Sequence, residues 1–179
     1  VRAISEQRKT AALVKAAAKG DKQAFVALVD SFRQTMYATA MAVARNEDDA
    51  MDAIQDTILI LWEKLDTLRD PGAFKTWMTR ILINRCFGTL RGKSREFPVE
   101  SMEEEGRSFE RDTSLDVQDA LDRMAPEDRL VLQLFYFEDM PVREIASALS
   151  LSPEAVRMRL TRSRKRFRRQ YETEVRYER

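Results

Sequence analysis

The sequence contains no histidine and a single cysteine, Cys86. An intramolecular disulfide is therefore excluded, the usual zinc ligand sets are too poor to assemble, and the commonest general base is missing. No catalytic residue, metal, cofactor or small-molecule substrate is expected. Glycine and proline are scarce, at five each, beside 34% charged residues, which points to long amphipathic helices. No apolar run approaches the roughly 18 residues of a membrane span, and the first residues show no signal-peptide core. A cytoplasmic location without membrane insertion is expected. Nor is there an excess of one charge, the formal net charge being +1, which argues against a uniformly basic nucleic-acid coat. The charges are instead segregated. Glu96, Glu100, Glu103, Glu104, Glu105, Glu110 and Asp112 crowd one stretch, and Arg157, Arg159, Arg162, Arg164, Lys165, Arg166, Arg168 and Arg169 another.

What is present reads as an all-α protein of two small helical domains. Thr10 to Lys19 is an alanine-rich helix ended by Gly20, with Asp21 placed to cap the next. Phe25, Leu28, Val29, Phe32, Met36, Ala40 and Val43 form one apolar stripe of a helix ending near Asn46. Asp48 and Asp49 supply the following N-terminus, and Ile54, Ile58, Leu61 and Leu65 its inward seam, to about Asp66. Asp70, Pro71 and Gly72 break the pattern, which returns from Phe74 through Trp77, Met78, Ile81 and Leu82 to roughly Leu90. Residues 1–91 make the first domain. Apolar periodicity vanishes over 92–113, which reads as a flexible acidic linker. A dock in a positively charged channel and plain disorder both fit its composition.

The second domain, 114–179, opens with a helix marked by Leu115, Ala120, Leu121 and Met124 and stopped by Pro126, then one marked by Leu130, Val131, Leu134 and Phe135. Met140 and Pro141 make a turn. Val142 to Leu149 is a short helix, Ser150 to Ser152 a tight turn, and Pro153 to about Tyr171 a long helix with proline at its first position. This is the helix-turn-helix pattern. Ser150 stands where glycine is common, and a non-glycine residue at positive φ there costs about 1 kcal/mol. Val156, Leu160, Ser163 and Phe167 share the inward face, leaving Arg157, Met158, Thr161, Arg162, Lys165 and Arg168 outward, furnished for a major groove.

Alone, that motif also admits a dimeric regulator whose first domain serves dimerisation or ligand sensing. An enzymatic reading has only Gly88 to Ser94, a stretch one residue short of the phosphate-loop spacing and following a helix where a strand is required. Trp77 either stacks on an unstacked base or fills the core between helices, the core being favoured, and Cys86 reads as a small buried hydrophobe.

The segment Asp49 to Arg85 resembles region 2 of the extracytoplasmic-function sigma factors, through Asp49, Ala50, Asp52, Gln55, Asp56, Thr57, Leu59, Trp62 and Leu65. Met51 and Ile58 depart from the family's usual acidic and aromatic residues. Upstream, LVKAAAKGDKQAFVALV is similar to the family's first helices, and MAPEDRLVLQLFYFEDMPVREIASALSLSPEAVRMRLTRSRKRFRR to its region 4. Two motifs in the family's order are more specific than either alone.

The resemblance implies a non-enzymatic protein that gives core RNA polymerase its promoter specificity. Asp52, Gln55, Asp56 and Leu59, at i, i+3, i+4 and i+7, would meet the β′ clamp helices, and the β subunit would be a further contact. The minus-ten element would be read and melted around Arg69, Asp70, Lys75, Thr76, Thr79, Arg80, Asn84 and Arg85, with Asn84 facing a flipped base and the cations on phosphates. The minus-thirty-five duplex would fall to Arg157, Met158, Thr161, Arg162 and Lys165. Promoter DNA and an anti-sigma factor are the other implied partners.

Overall fold

A computed structural model describes residues 2–44, 46–93 and 117–177, and every regular element among them is helical. The first unit comprises α1 (Arg2–Ala17), α2 (Lys22–Val43), α3 (Glu47–Lys64) and α4 (Phe74–Lys93). Asp21 caps α2, its Oδ1 accepting from the Gln23 and Ala24 amides at 2.9 and 3.0 Å. The preceding Gly20 has φ +93°, a conformation glycine adopts without steric cost. α2 stops before Asn46, and it is Asn46 that caps α3, accepting from the Asp49 amide at 2.8 Å. Asp48 and Asp49, expected as the cap, lie with Glu47 inside the first turn, where they complement the helix dipole.

Leu28, Met36, Leu61, Leu65, Met78 and Leu82 are almost wholly buried around Phe74. The Phe74 ring lies 5.3 Å from Phe32 and 6.3 Å from Trp77, so Trp77 takes up the half-buried core position expected of it. Burial of each such side chain contributes about 1.5–3 kcal/mol. Between α3 and α4 the chain makes two short 3-10 turns, Leu65–Thr67 and Pro71–Ala73. Asp70 Oδ1 accepts from the Gly72 amide at 2.9 Å. A Cβ at Gly72 would stand only 3.2 Å from that oxygen, so glycine suits the turn.

The second unit contains α5 (Val117–Asp122), α6 (Pro126–Leu132), α7 (Val142–Leu149) and α8 (Pro153–Tyr177). Leu130, Leu134, Met140, Ile145, Val156 and Leu160 fill its core. α7 has the bounds its sequence suggested, and Ser150 takes the left-handed conformation, φ 56° and ψ 42°. After α6 the backbone widens into a π-helical turn, Gln133–Phe137, closed by the Glu138 amide on the Gln133 carbonyl at 3.1 Å. That extra width keeps Leu134 buried while leaving Tyr136 52% and Phe137 58% exposed. Asp128, 5% exposed, ties α6 to α8 by accepting from Ser163 Oγ at 2.7 Å and from Arg166.

The two expected domains are in contact with one another. α2 packs against α6 and α4 against α7, and the buried apolar side chains form one continuous cluster. Arg129 of α6 fastens the seam: its Nε donates to the Ala42 carbonyl at 2.6 Å, near the C-terminal end of α2, where the helix dipole favours a cation. Its Nη1 reaches the Asp122 carboxylate at 3.5 Å. α4 continues through Gly92 and Lys93, which the sequence assigned to the linker. The rest of that expected linker lies outside the described residues.

Candidate functional site

Three surfaces follow from this packing. On α3 the buried side is Ala50, Ala53, Ile54, Thr57 and Leu61, so the helical period turns Asp52, Gln55, Asp56 and Leu59 outward together. All four are exposed, Leu59 to 62%. Trp62, one turn on, packs edge-on against Phe25 with ring centroids 4.9 Å apart and is itself 41% exposed. Leu59 and Trp62 thus border the carboxylates with apolar surface, a combination suited to a protein partner carrying both cations and hydrophobic groups. Sequence reasoning used Trp62 as a motif residue and missed its place on this face, although its three-residue step from Leu59 was the available signal.

On α8, Val156, Leu160 and Ser163 are buried. Arg157, Met158, Thr161, Arg162 and Lys165 all lie in the exposed arc, Met158 to 62%. Arg157 pairs with Glu154 at 3.2 Å and Thr161 Oγ1 donates to the Arg157 carbonyl at 3.0 Å. Both partners of that ion pair are well exposed, so it is worth little. Arg162 and Lys165 make no ion pair among the described residues. Sequence reasoning also missed Arg164, whose guanidinium stands 5.5 and 5.4 Å from the Phe135 and Tyr136 ring centres. Burial of the α8 apolar stripe and this cation–π contact hold the helix at a fixed angle on its unit.

The expected minus-ten residues divide. Arg69, Asp70, Arg80, Asn84 and Arg85 are exposed, but one Asp70 carboxylate oxygen is engaged as the turn cap. Lys75 and Thr76 are turned toward the second unit. Lys75 Nζ donates to the Glu138 carbonyl at 2.6 Å and stands 3.4 Å from its carboxylate, and Thr76 Oγ1 donates to Glu144 Oε2 at 2.9 Å. Thr79 is a correction: it is wholly buried, with no hydrogen-bond partner for its hydroxyl among the described residues, so it offers nothing to a DNA strand in this arrangement. Asn84 borders a cavity along the seam, lined also by Ile83, Phe87, Leu130, Leu149 and Arg159.

Burial pushes the Cys86 thiol up to about 11, which leaves it protonated at neutral pH and a poor nucleophile. Among the described residues, no cluster of three or more acidic or thiol side chains could hold a metal ion, and no helix is long and apolar enough to cross a membrane.

Comparison with known proteins agrees with the two-part architecture. The family model for sigma-70 region 2 matches residues 28–96, and that for sigma-70 region 4 matches residues 114–167. The RNA polymerase sigma factor SigV of Bacillus subtilis is 27% identical over 152 residues, covering 82% of this chain and 90% of its own. The ECF RNA polymerase sigma factor SigM of Mycobacterium tuberculosis is 28% identical over 165 residues, covering 90% and 84%. Among solved structures, CnrH in complex with the cytosolic domain of CnrY superposes with a TM-score of 0.69 at 24% identity, covering 92% of this chain and 98% of that one. The sigma factor RpoE in complex with the anti-sigma factor NepR from Bartonella quintana gives 0.68 at 21% identity, covering 83% and 96%. With region 2 built from α2 to α4, region 4 from α5 to α8, and relatives matched over most of their length, this chain belongs to the extracytoplasmic-function sigma factors of the sigma-70 family, which act in transcription initiation.

Proposed function

We propose that the chain docks on core RNA polymerase through the α3 face and carries two DNA-reading surfaces, α8 for the minus-thirty-five duplex and the α4 region for the minus-ten element, while catalysing no reaction itself. The observation that carries this reading is the simultaneous exposure, on one folded chain, of an acidic–apolar face on α3 and a cationic face on α8. Asp52 and Asp56 stand one helical turn apart, a spacing that suits two arginines of the β′ clamp helices. Leu59 and Trp62 supply the apolar contact beside them.

In the helix-turn-helix, Arg162 is placed to read a guanine edge and Arg157 a second one, while Lys165 meets phosphate. Met158 and Thr161 give the same face apolar and hydroxyl contacts. In region 2, Arg69, Arg80 and Arg85 line the phosphate path, and Asn84 reads a base drawn out of the stack. Lys75 and Thr76 join them once clear of Glu138 and Glu144. Melting of one element while the other is held as duplex follows from placing the two surfaces on separate units. The β subunit and an anti-sigma factor complete the partners; the similar RpoE and CnrH chains were solved with NepR and with CnrY.

Replacing Arg162 by alanine tests the assignment on α8. A loss of about 1–3 kcal/mol in affinity confined to the preferred minus-thirty-five sequence is expected of a base contact. An equal loss on all sequences in a gel-shift series with the holoenzyme would reassign Arg162 to phosphate.

A further inference from the structure

A cavity of about 170 Å³ lies where α4 meets α6, α7 and α8, apart from the acidic face of α3 and the cationic arc of α8. We propose that it is a binding site for a small aromatic monocarboxylate, with the ring in the apolar interior and the carboxylate on Arg159.

Size and lining set the body of the ligand. Ile83 and Phe87 of α4, Leu130 of α6 and Leu149 of α7 line the cavity, and Ile83 and Leu130 are almost wholly buried. An engineered apolar cavity of about 150 Å³ takes up benzene, so this one has room for one ring and a short substituent. Drug-sized molecules occupy pockets of about 300 Å³ and more, which excludes anything as large as a nucleotide. A rigid ring also enters such a space with less loss of freedom than a flexible chain of equal volume.

Charge sets the head group. Arg159 stands on α8 at the border between the buried side, Val156, Leu160 and Ser163, and the exposed arc, and is half-buried there. It makes no ion pair or hydrogen bond among the described residues. Other arginines of α8 do have partners: Arg157 pairs with Glu154, Arg166 with Asp128, and Arg164 stacks on two rings. A partly desolvated cation beside apolar walls gains most from an anion that brings its own apolar body, because the pair then forms away from bulk water. The planar guanidinium fork matches a carboxylate. Asn84, exposed at the same cavity, adds an amide donor for the carboxylate. Glu127 also borders the cavity and is exposed, and its charge opposes a second carboxylate on the ligand, which is why a monoanion fits. A molecule seated there touches α4 of region 2 and three helices of region 4 at once, so its occupancy is linked to the packing of the two units.

Titration of the isotope-labelled, full-length chain with sodium benzoate, followed by amide chemical shifts in NMR spectra, tests the site. Saturable shifts at Ile83, Phe87, Leu149 and Arg159 are expected, in the millimolar range or tighter for so small a ligand. Acetate keeps the charge and lacks the ring, and benzyl alcohol keeps the ring and lacks the charge. Each should bind at least about tenfold more weakly than benzoate. Arg159→Gln should weaken benzoate by about tenfold or more while leaving benzyl alcohol unchanged, and Arg159→Lys should recover part of the loss. Equal affinity for acetate and benzoate would reduce the site to an unselective anion contact and overturn the proposal. So would benzoate binding that Arg159→Gln leaves intact, or the lack of any saturable shift at these amides.

Discussion

Reversing Asp52 and Asp56 to arginine is expected to abolish co-purification with core RNA polymerase while leaving the helical circular-dichroism signal unchanged. Both carboxylates are exposed on α3, opposite its buried side of Ala53, Ile54, Thr57 and Leu61, so the fold does not use them. A charge-assisted hydrogen bond contributes about 1.5–3 kcal/mol. Losing two, and setting cations against cations, amounts to a fall in affinity of roughly a thousandfold or more. Leu59→Ala should weaken the same complex less, since it removes apolar area without introducing repulsion. Unchanged pull-down by the reversed variant would show that polymerase is held elsewhere.

The second large effect is on stability. Asp128→Ala should cost about 2–4 kcal/mol in urea unfolding followed by circular dichroism. The Asp128 carboxylate is buried at the α6–α8 contact, where it accepts from Ser163, itself fully buried, and from Arg166. Its removal strands the Ser163 hydroxyl and opens a gap beneath α8. Arg166 contributes less to the cost because its side chain is 61% exposed and returns to water. Ser163→Ala in the same background should recover part of the loss, since removing both partners leaves nothing unsatisfied. A loss below about 0.5 kcal/mol, the range of an indifferent surface change, would mean that Asp128 does not hold α8 in place.

These two sites mark what the sequence made legible. The α3 face could be read because Ile54 and Leu61 recur at helical spacing and so leave Asp52, Gln55, Asp56 and Leu59 on the other side. The same rule separated Val156 and Leu160 from Arg157 and Arg162 on α8. Pro153 and Ser150 marked the turn, down to the left-handed Ser150. Asp128 and Arg129 were invisible for the opposite reason. Charged residues read as surface, and nothing in local periodicity says that a neighbour 35 or 87 positions away will supply a hydrogen bond. The π-helical turn escaped because Leu130, Val131, Leu134 and Phe135 fit an ordinary α-helix, and one inserted residue does not disturb so short a pattern. The packing of the two units escaped too, since Lys75, Thr76, Glu138 and Glu144 are polar and an apolar stripe was the signal being sought. Thr79, which the resemblance placed among the minus-ten residues, is buried, and a polar side chain on α4 gave no sign of that.

Run-off transcription with purified core polymerase, on promoter fragments from its own genome, tests the central claim most directly. The protein should produce discrete, start-site-specific transcripts that core alone does not make, and the Asp52/Asp56 reversal should remove them. Identical products with and without the wild-type chain at saturating concentration would contradict it.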